Sequence, residues 1–205
     1  DAARARGAAT VQLQVRHDNA AAQSLYAGLG FKRRSARTLL RLATGSEVRR
    51  LDDPAGGTTV TTWQASDVPR ARRLLDRAGA PDALAVPGLA RQHLASAGWR
   101  GRWDDWLRSR RTFRWAAMND GEWCGLAVAR ACSDTGPHQL EIVVDPAWYG
   151  RVEGRLVDVA LDTLRHVAPL AVEADLDTRQ EAAIAALKGA GCARVRTLEL
   201  YSLDL

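Results

Sequence analysis

The 205-residue chain is short of lysine, methionine, phenylalanine, tyrosine and cysteine. Only two lysines stand against 27 arginines, a bias that, with abundant alanine, reads as genome composition rather than function. No apolar run approaches the roughly 18 residues that a membrane span needs. The start, DAARARGAAT, has no apolar central region, so no signal peptide is read there. It begins at Asp1 rather than Met, as expected of a processed chain or one that continues upstream. The three cysteines, Cys124, Cys132 and Cys192, are far apart and odd in number. That argues against a disulfide framework and for buried thiols in a cytoplasmic protein. His17, His93, His138 and His166 are scattered, and no CxxC or Cys/His cluster suggests a metal.

What is present is enough for a large core: 46% of residues are hydrophobic and 26% charged, which fits one domain or one and part of another. The net charge of +5 is uneven. Residues 1–57 hold ten Lys and Arg against five Asp and Glu, whereas residues 58–205 hold nineteen of each. The surplus centres on Lys32, Arg33 and Arg34. A solvated strand rim or an anionic-cofactor pocket is favoured there over nucleic-acid binding.

Apolar–polar alternation predicts a strand at 11–15, then a helix at 20–29 capped by Asp18 or Asn19 and closed by Gly30. A second extended stretch runs over 31–42. Residues 43–57 hold glycines, a proline and charges without periodicity, and read as a linker. A strand is expected at 58–64, then a helix capped by Ser66 or Asp67 with Pro69 in its first turn, ending near Gly79. Residues 80–111 read as helical, broken at Pro87 and Gly98. Trp99, Trp103 and Trp106 fall on one face there, for core packing or an aromatic acceptor wall. Strands at 113–118, 123–131 and 139–144, joined by the Asn119-Asp120-Gly121 turn and a turn at 133–137, form a meander. A loop bearing Gly150 and Gly154 leads into an amphipathic helix at 153–167. Loop amides and a helix N-terminus together can hold a phosphate. A strand at 170–176, a helix capped by Asp177 or Thr178 and ending at Gly191, and a last strand at 192–205 complete the chain.

The end of the chain repeats its beginning. At a shift of 161, Val11, Leu13 and Val15 fall on Val172, Ala174 and Leu176. Asn19 falls on Gln180, Ala22 on Ala183, Gly28 on Gly189, Gly30 on Gly191 and Phe31 on Cys192. Leu39 and Leu42 fall on Leu200 and Leu203. An ungapped register over about 30 residues points to duplication. The counterpart of the segment that starts near Thr58 would precede residue 1, so about 100 residues of a first unit are expected to lie outside this chain.

The stretch LQVRHDNAAAQSLYAGLGFK resembles the second half of a GNAT acetyltransferase domain, a strand followed by N-x-x-A-x-x-L-Y-x-x-x-G-F. Asn19, Ala22, Leu25, Tyr26, Gly30 and Phe31 match that pattern. Residues 58–205 resemble a complete, divergent domain of the same kind. The resemblance implies a tandem protein: 1–43 the end of a first domain, 44–57 a linker, 58–205 a second domain. It implies a mixed α/β (α+β) fold with a mainly antiparallel sheet, helices on both faces and splayed central strands. It also implies acetyl transfer from acetyl-CoA, without a metal, to an amine of a small molecule or peptide.

By the same resemblance, the strand backbone at Ile142, Val143 and Val144 would hold the pantetheine arm, with Gly150, Arg151, Val152, Gly154 and Arg155 around the pyrophosphate. Asn19 joins them in the first unit. The loop departs from R/Q-x-x-G-x-G/A at Tyr149 and Val152. Val152 would crowd a phosphate, and Glu153 would repel one, with Arg151 and Arg155 as an offset. The phenol of Tyr26 would protonate the leaving thiolate; its counterpart in the repeat is Leu187, which cannot. Glu141 is the candidate base, with His138 and Asp145 weaker ones. The alternative role for the second domain is non-catalytic: support, dimerisation or ligand binding. Residues 11–42 would leave a sheet edge and a helix face open, and are expected to pack on the second unit or to pair in a homodimer.

Overall fold

The computed structural model describes residues 7–51, 57–79, 110–132 and 136–205. The Trp99, Trp103 and Trp106 face and residues 80–109 of the helical reading of 80–111 lie outside the described residues, as do 52–56 and 133–135; Arg110 and Arg111, the end of that reading, are strand instead.

In chain order the elements are β1 (Thr10–Arg16), α1 (Ala20–Gly28), β2 (Lys32–Leu42), β3 (Thr59–Thr62) and α2 (Val68–Arg77). Then come β4 (Arg110–Asn119), β5 (Glu122–Cys132), β6 (His138–Val144), α3 (Glu153–Val167), β7 (Val172–Asp177), α4 (Glu181–Gly189) and β8 (Ala193–Asp204). One eight-stranded sheet runs β1-β8-β2-β7-β6-β5-β4-β3. All neighbours are antiparallel except β6 and β7, which are parallel. The expected mixed, mainly antiparallel α/β class therefore holds. Alternation along the strands feeds two cores. Ala127, Ala129, Leu140 and Ile142 pack under α3 and α4 on one face. Leu126 and Val128 pack with Leu74 and Leu75 of α2 on the other.

The chain's two ends interlock within this sheet. β2 lies between β7 and β8, and β8 lies between β1 and β2. Each strand–helix–strand segment thus encloses a strand of the other. The registers obey the 161-residue shift. Val11 pairs with Leu203, and Leu42 with Val172, the same pair with roles exchanged. Arg37 pairs with Leu198, its own repeat partner, so a local two-fold axis passes between them. Register shifts at Arg33/Ser35 and at Leu39/Leu40 bulge out Arg34 and Val195, again 161 apart. An axis relating antiparallel neighbours in this way is normal to the sheet, so α1 and α4 share a face.

One pair of alternatives is settled and one local expectation is corrected. Asn19, not Asp18, caps α1, accepting from Ala22 N at 3.0 Å. Asp18 is held by Arg16 instead. Neither Asp177 nor Thr178 caps α4: the cap position is Gln180, and the Asp177 carboxylate holds Arg179. The segment after β2 that reads as a linker packs on the core through Val48 and Leu51, and Leu51 N bonds the Asp158 carboxylate at 3.3 Å.

Candidate functional site

β6 and β7 pair only at His138/Val172, Gln139/Glu173 and Leu140/Ala174. Beyond Leu140 they diverge, and side chains rather than backbone span the gap. Gln180 Nε2 donates to Ile142 O at 2.9 Å, while its Oε1 accepts from Asp177 N at 3.1 Å. A cavity of about 320 Å³ opens at the wide end, lined by Val144, Tyr149, Gly150, Glu153, Arg179 and Gln180 and by the first turn of α4.

The loop that carries the predicted cofactor residues is shaped by Asp145. Its carboxylate accepts from Ala147 N at 3.1 Å and from Arg77 Nε at 2.7 Å. Burial raises its pKa, but the Arg77 hydrogen bond, the Ala147 amide and the Arg77 charge outweigh burial and hold it below the usual carboxylate range. Gly150 sits at φ +77 with open space where a Cβ would be, a turn conformation that suits glycine. Gly154 lies in the first turn of α3.

Val152 does not crowd the cavity as expected. It occupies the cap position of α3 with φ −117 and ψ −14, which turns its side chain into the core, where it is fully buried. A Cβ at Gly125 would meet Leu156, Val144 and Val152 at 3.1–3.3 Å, so the absence of one there makes room for this packing. The obstructing group is Glu153, only 3% exposed. Its Oε2 accepts from Val152 N at 3.3 Å, so a carboxylate of the chain holds an amide at the helix N-terminus.

Arg151 and Arg155 do not compensate it inside the cavity. The Arg151 guanidinium stacks on the Trp148 ring, 5.6 Å from its centroid. Arg155 lines a separate groove with Arg50 and Asp158. The arginine on the cavity wall is Arg179, which the sequence reading did not single out. It is held by Asp177, Nε to Oδ1 at 2.9 Å and Nη2 to Oδ2 at 2.8 Å. A signal for it existed: Arg16-x-Asp18 and Asp177-x-Arg179 are the same i,i+2 pair with signs reversed, 161 residues apart.

The candidate catalytic residues are not brought together. Side chains of His138, Leu140, Ile142 and Val144 enter the α3 face, so Glu141 projects from the opposite face. Tyr26 lies on α1, on the α3–α4 side, half exposed and edge-on to Phe31 with ring centroids 5.7 Å apart. Leu187, at its repeat position, is fully buried. His138 is structural: Nδ1 accepts from Cys132 N at 3.0 Å and Nε2 donates to Ala168 O at 3.0 Å.

No protein-family model matches this chain. No curated protein matches it in sequence. Solved structures match its fold. A GCN5-related N-acetyltransferase from Sphaerobacter thermophilus is 16% identical with a TM-score of 0.67, covering 95% of this chain and 59% of its own. A tandem GNAT protein from the clavulanic acid biosynthesis pathway is 19% identical with a TM-score of 0.58, covering 99% and 66%. A GCN5-related N-acetyltransferase from Kribbella flavida is 15% identical with a TM-score of 0.57, covering 99% and 71%. The chain thus spans about three fifths to two thirds of the first two, and shares the GNAT fold with all three.

Proposed function

We propose that this chain belongs to a tandem GNAT-type acyltransferase whose two units have divided the work. The first unit, to which β1, α1 and β2 belong, carries acetyl transfer from acetyl-CoA to an amine of a small molecule or peptide. The second, from β3 onward, is a non-catalytic support that holds the first through the exchanged strands. The carrying observation is the contrast at one repeat position: a half-exposed Tyr26 in one unit, a fully buried Leu187 in the other. The buried Glu153 and the Gln180 bridge to Ile142 support the same division, since both occupy places that a coenzyme would need.

In this reading the acceptor amine attacks the thioester carbonyl, the C–S bond breaks, and Tyr26 O–H gives its proton to the departing sulfur. The amine's proton leaves to a base or to solvent, so charge and atoms balance. A general acid of this kind contributes about 10²–10⁴ in rate. The test is thiol release by the natural full-length polypeptide with acetyl-CoA and a panel of amines. Tyr26→Phe is expected to lower kcat about 10²-fold or more, and Leu187→Met to leave kcat unchanged. A Tyr26→Phe protein with full kcat would remove the proposal.

A further inference from the structure

The cleft of the second unit has its own chemistry. Glu153 is 3% exposed, and among the described residues one of its oxygens has a hydrogen-bond partner, the Val152 amide. Among the described residues the other oxygen meets no donor, and the side chain lines the cavity. That oxygen is not among the buried polar atoms left without a partner, so it opens to the cavity, placed to accept from a cationic or strongly donating ligand. The Arg179 guanidinium, which lines the same cavity, is held by both oxygens of Asp177.

The opposite wall has the reverse need. α4 begins at Glu181 with no side-chain cap, because both ends of the Gln180 amide are used elsewhere. Its first-turn residues Ala182 and Ala183 line the cavity, so uncapped helix amides lie at its edge. Between the two walls, Val144 and the Tyr149 ring give an apolar surface. Burial, and then the charge of Glu153, raise the Tyr149 pKa, which keeps its phenol neutral. Glu181, exposed in that first turn, also lines the cavity; its charge opposes an anion there, and a dianion most. A volume of about 320 Å³ lies at the small end of ligand sites.

We propose that this cleft binds a small zwitterion of the amino-acid class, its ammonium on Glu153 and its carboxylate on the α4 N-terminus. The inference goes beyond the division of roles above and rests on it in one respect only, that no coenzyme fills the cleft.

Amide shift titrations of the whole chain test it, with L-leucine, 3-methylbutylamine (leucine without its carboxylate), 4-methylpentanoate (leucine without its ammonium), inorganic phosphate and acetyl-CoA. Leucine is expected to shift the amides of Gly150, Ala182 and Ala183. Both truncated probes should bind about tenfold more weakly or worse, the loss of one charge-assisted contact. Glu153→Gln, nearly isosteric, should weaken leucine about tenfold and leave 4-methylpentanoate unchanged. Ala182→Pro, tolerated in a first helical turn, removes one amide and should weaken leucine but not 3-methylbutylamine. Leucine failing to bind, or binding no better than its amine, overturns the proposal and leaves the division of roles standing. Acetyl-CoA saturating the same amides overturns both.

Discussion

Two nine-residue helices hold equivalent places in this sheet, and only one is buried. α4 puts Ala183, Ile184 and Leu187 into the core against α3, while α1 buries no residue and leaves Leu25 and Leu29 each 59% exposed. Their backbones obey one register. The difference lies in what each segment is packed against. β7 and α4 have β6 and α3 beside them, whereas β1 is a sheet edge among the described residues. The caps diverge in the same way. Asn19 serves its own helix, whereas the longer Gln180 reaches across to β6 and leaves its helix uncapped. One fold template therefore holds two states, one with its apolar surface spent on the core and one with a hydroxyl-bearing face still open.

The comparison breaks first at the position that defines it. Leu187→Ala should cost about 2–5 kcal/mol in chemical denaturation, as a buried leucine truncation does. Tyr26→Ala, which loses little more than the edge contact with Phe31, should cost roughly 1 kcal/mol. Equal costs would mean that α1 is as deeply packed in solution as α4.

A smaller effect is expected where the two strand–helix–strand segments interlock. Glu199 on β8 is buried and accepts from His17 Nδ1 at 2.7 Å, from Tyr201 O–H at 3.0 Å and lies 3.3 Å from Arg33 Nε. At the repeat position the Thr38 hydroxyl shares one hydrogen bond with the Thr197 hydroxyl among the described residues, at 2.9 Å. Glu199→Ala should therefore cost roughly 1–3 kcal/mol and Thr38→Val less. Burial raises the Glu199 pKa, but the hydrogen bonds from His17 and Tyr201 and the Arg33 charge hold it below the ordinary value. A lowered folded pKa gives stability that is present above the unfolded pKa and lost as pH falls through the folded one. Melting curves between about pH 6 and pH 3 should show an acid-side loss of stability that is reduced in Glu199→Gln.

The smallest effect separates two glycines. Gly28→Ala should stabilise by about 0.5–1 kcal/mol, since nothing lies within 4 Å of the added carbon. Gly189→Ala should gain less, because its Cβ would lie 2.9 Å from Leu51 Cδ2 and the leucine must move.

Most of the element order was legible in the sequence, because alternation, helix-closing glycines and the 161-residue repeat are local or self-referential signals. The exchange of strands was not, since β2 and β8 carry similar alternation and nothing in either states which neighbour it will pair with. In the cleft, the two glycines and the repulsive Glu153 could be read directly. That Val152 turns inward could not, because it depends on the dihedral angles of one cap residue and on the room left at Gly125. The committed state of Arg179 was visible only in retrospect, as the sign-reversed copy of Arg16 and Asp18.

A calorimetric titration of this chain with acetyl-CoA tests the division of roles most directly. No saturable binding up to millimolar coenzyme is predicted, with Glu153 seated at the helix N-terminus and Gln180 across the strands. Micromolar binding that Gly150→Glu abolishes would contradict it, and would make the cleft between β6 and β7 a working coenzyme site.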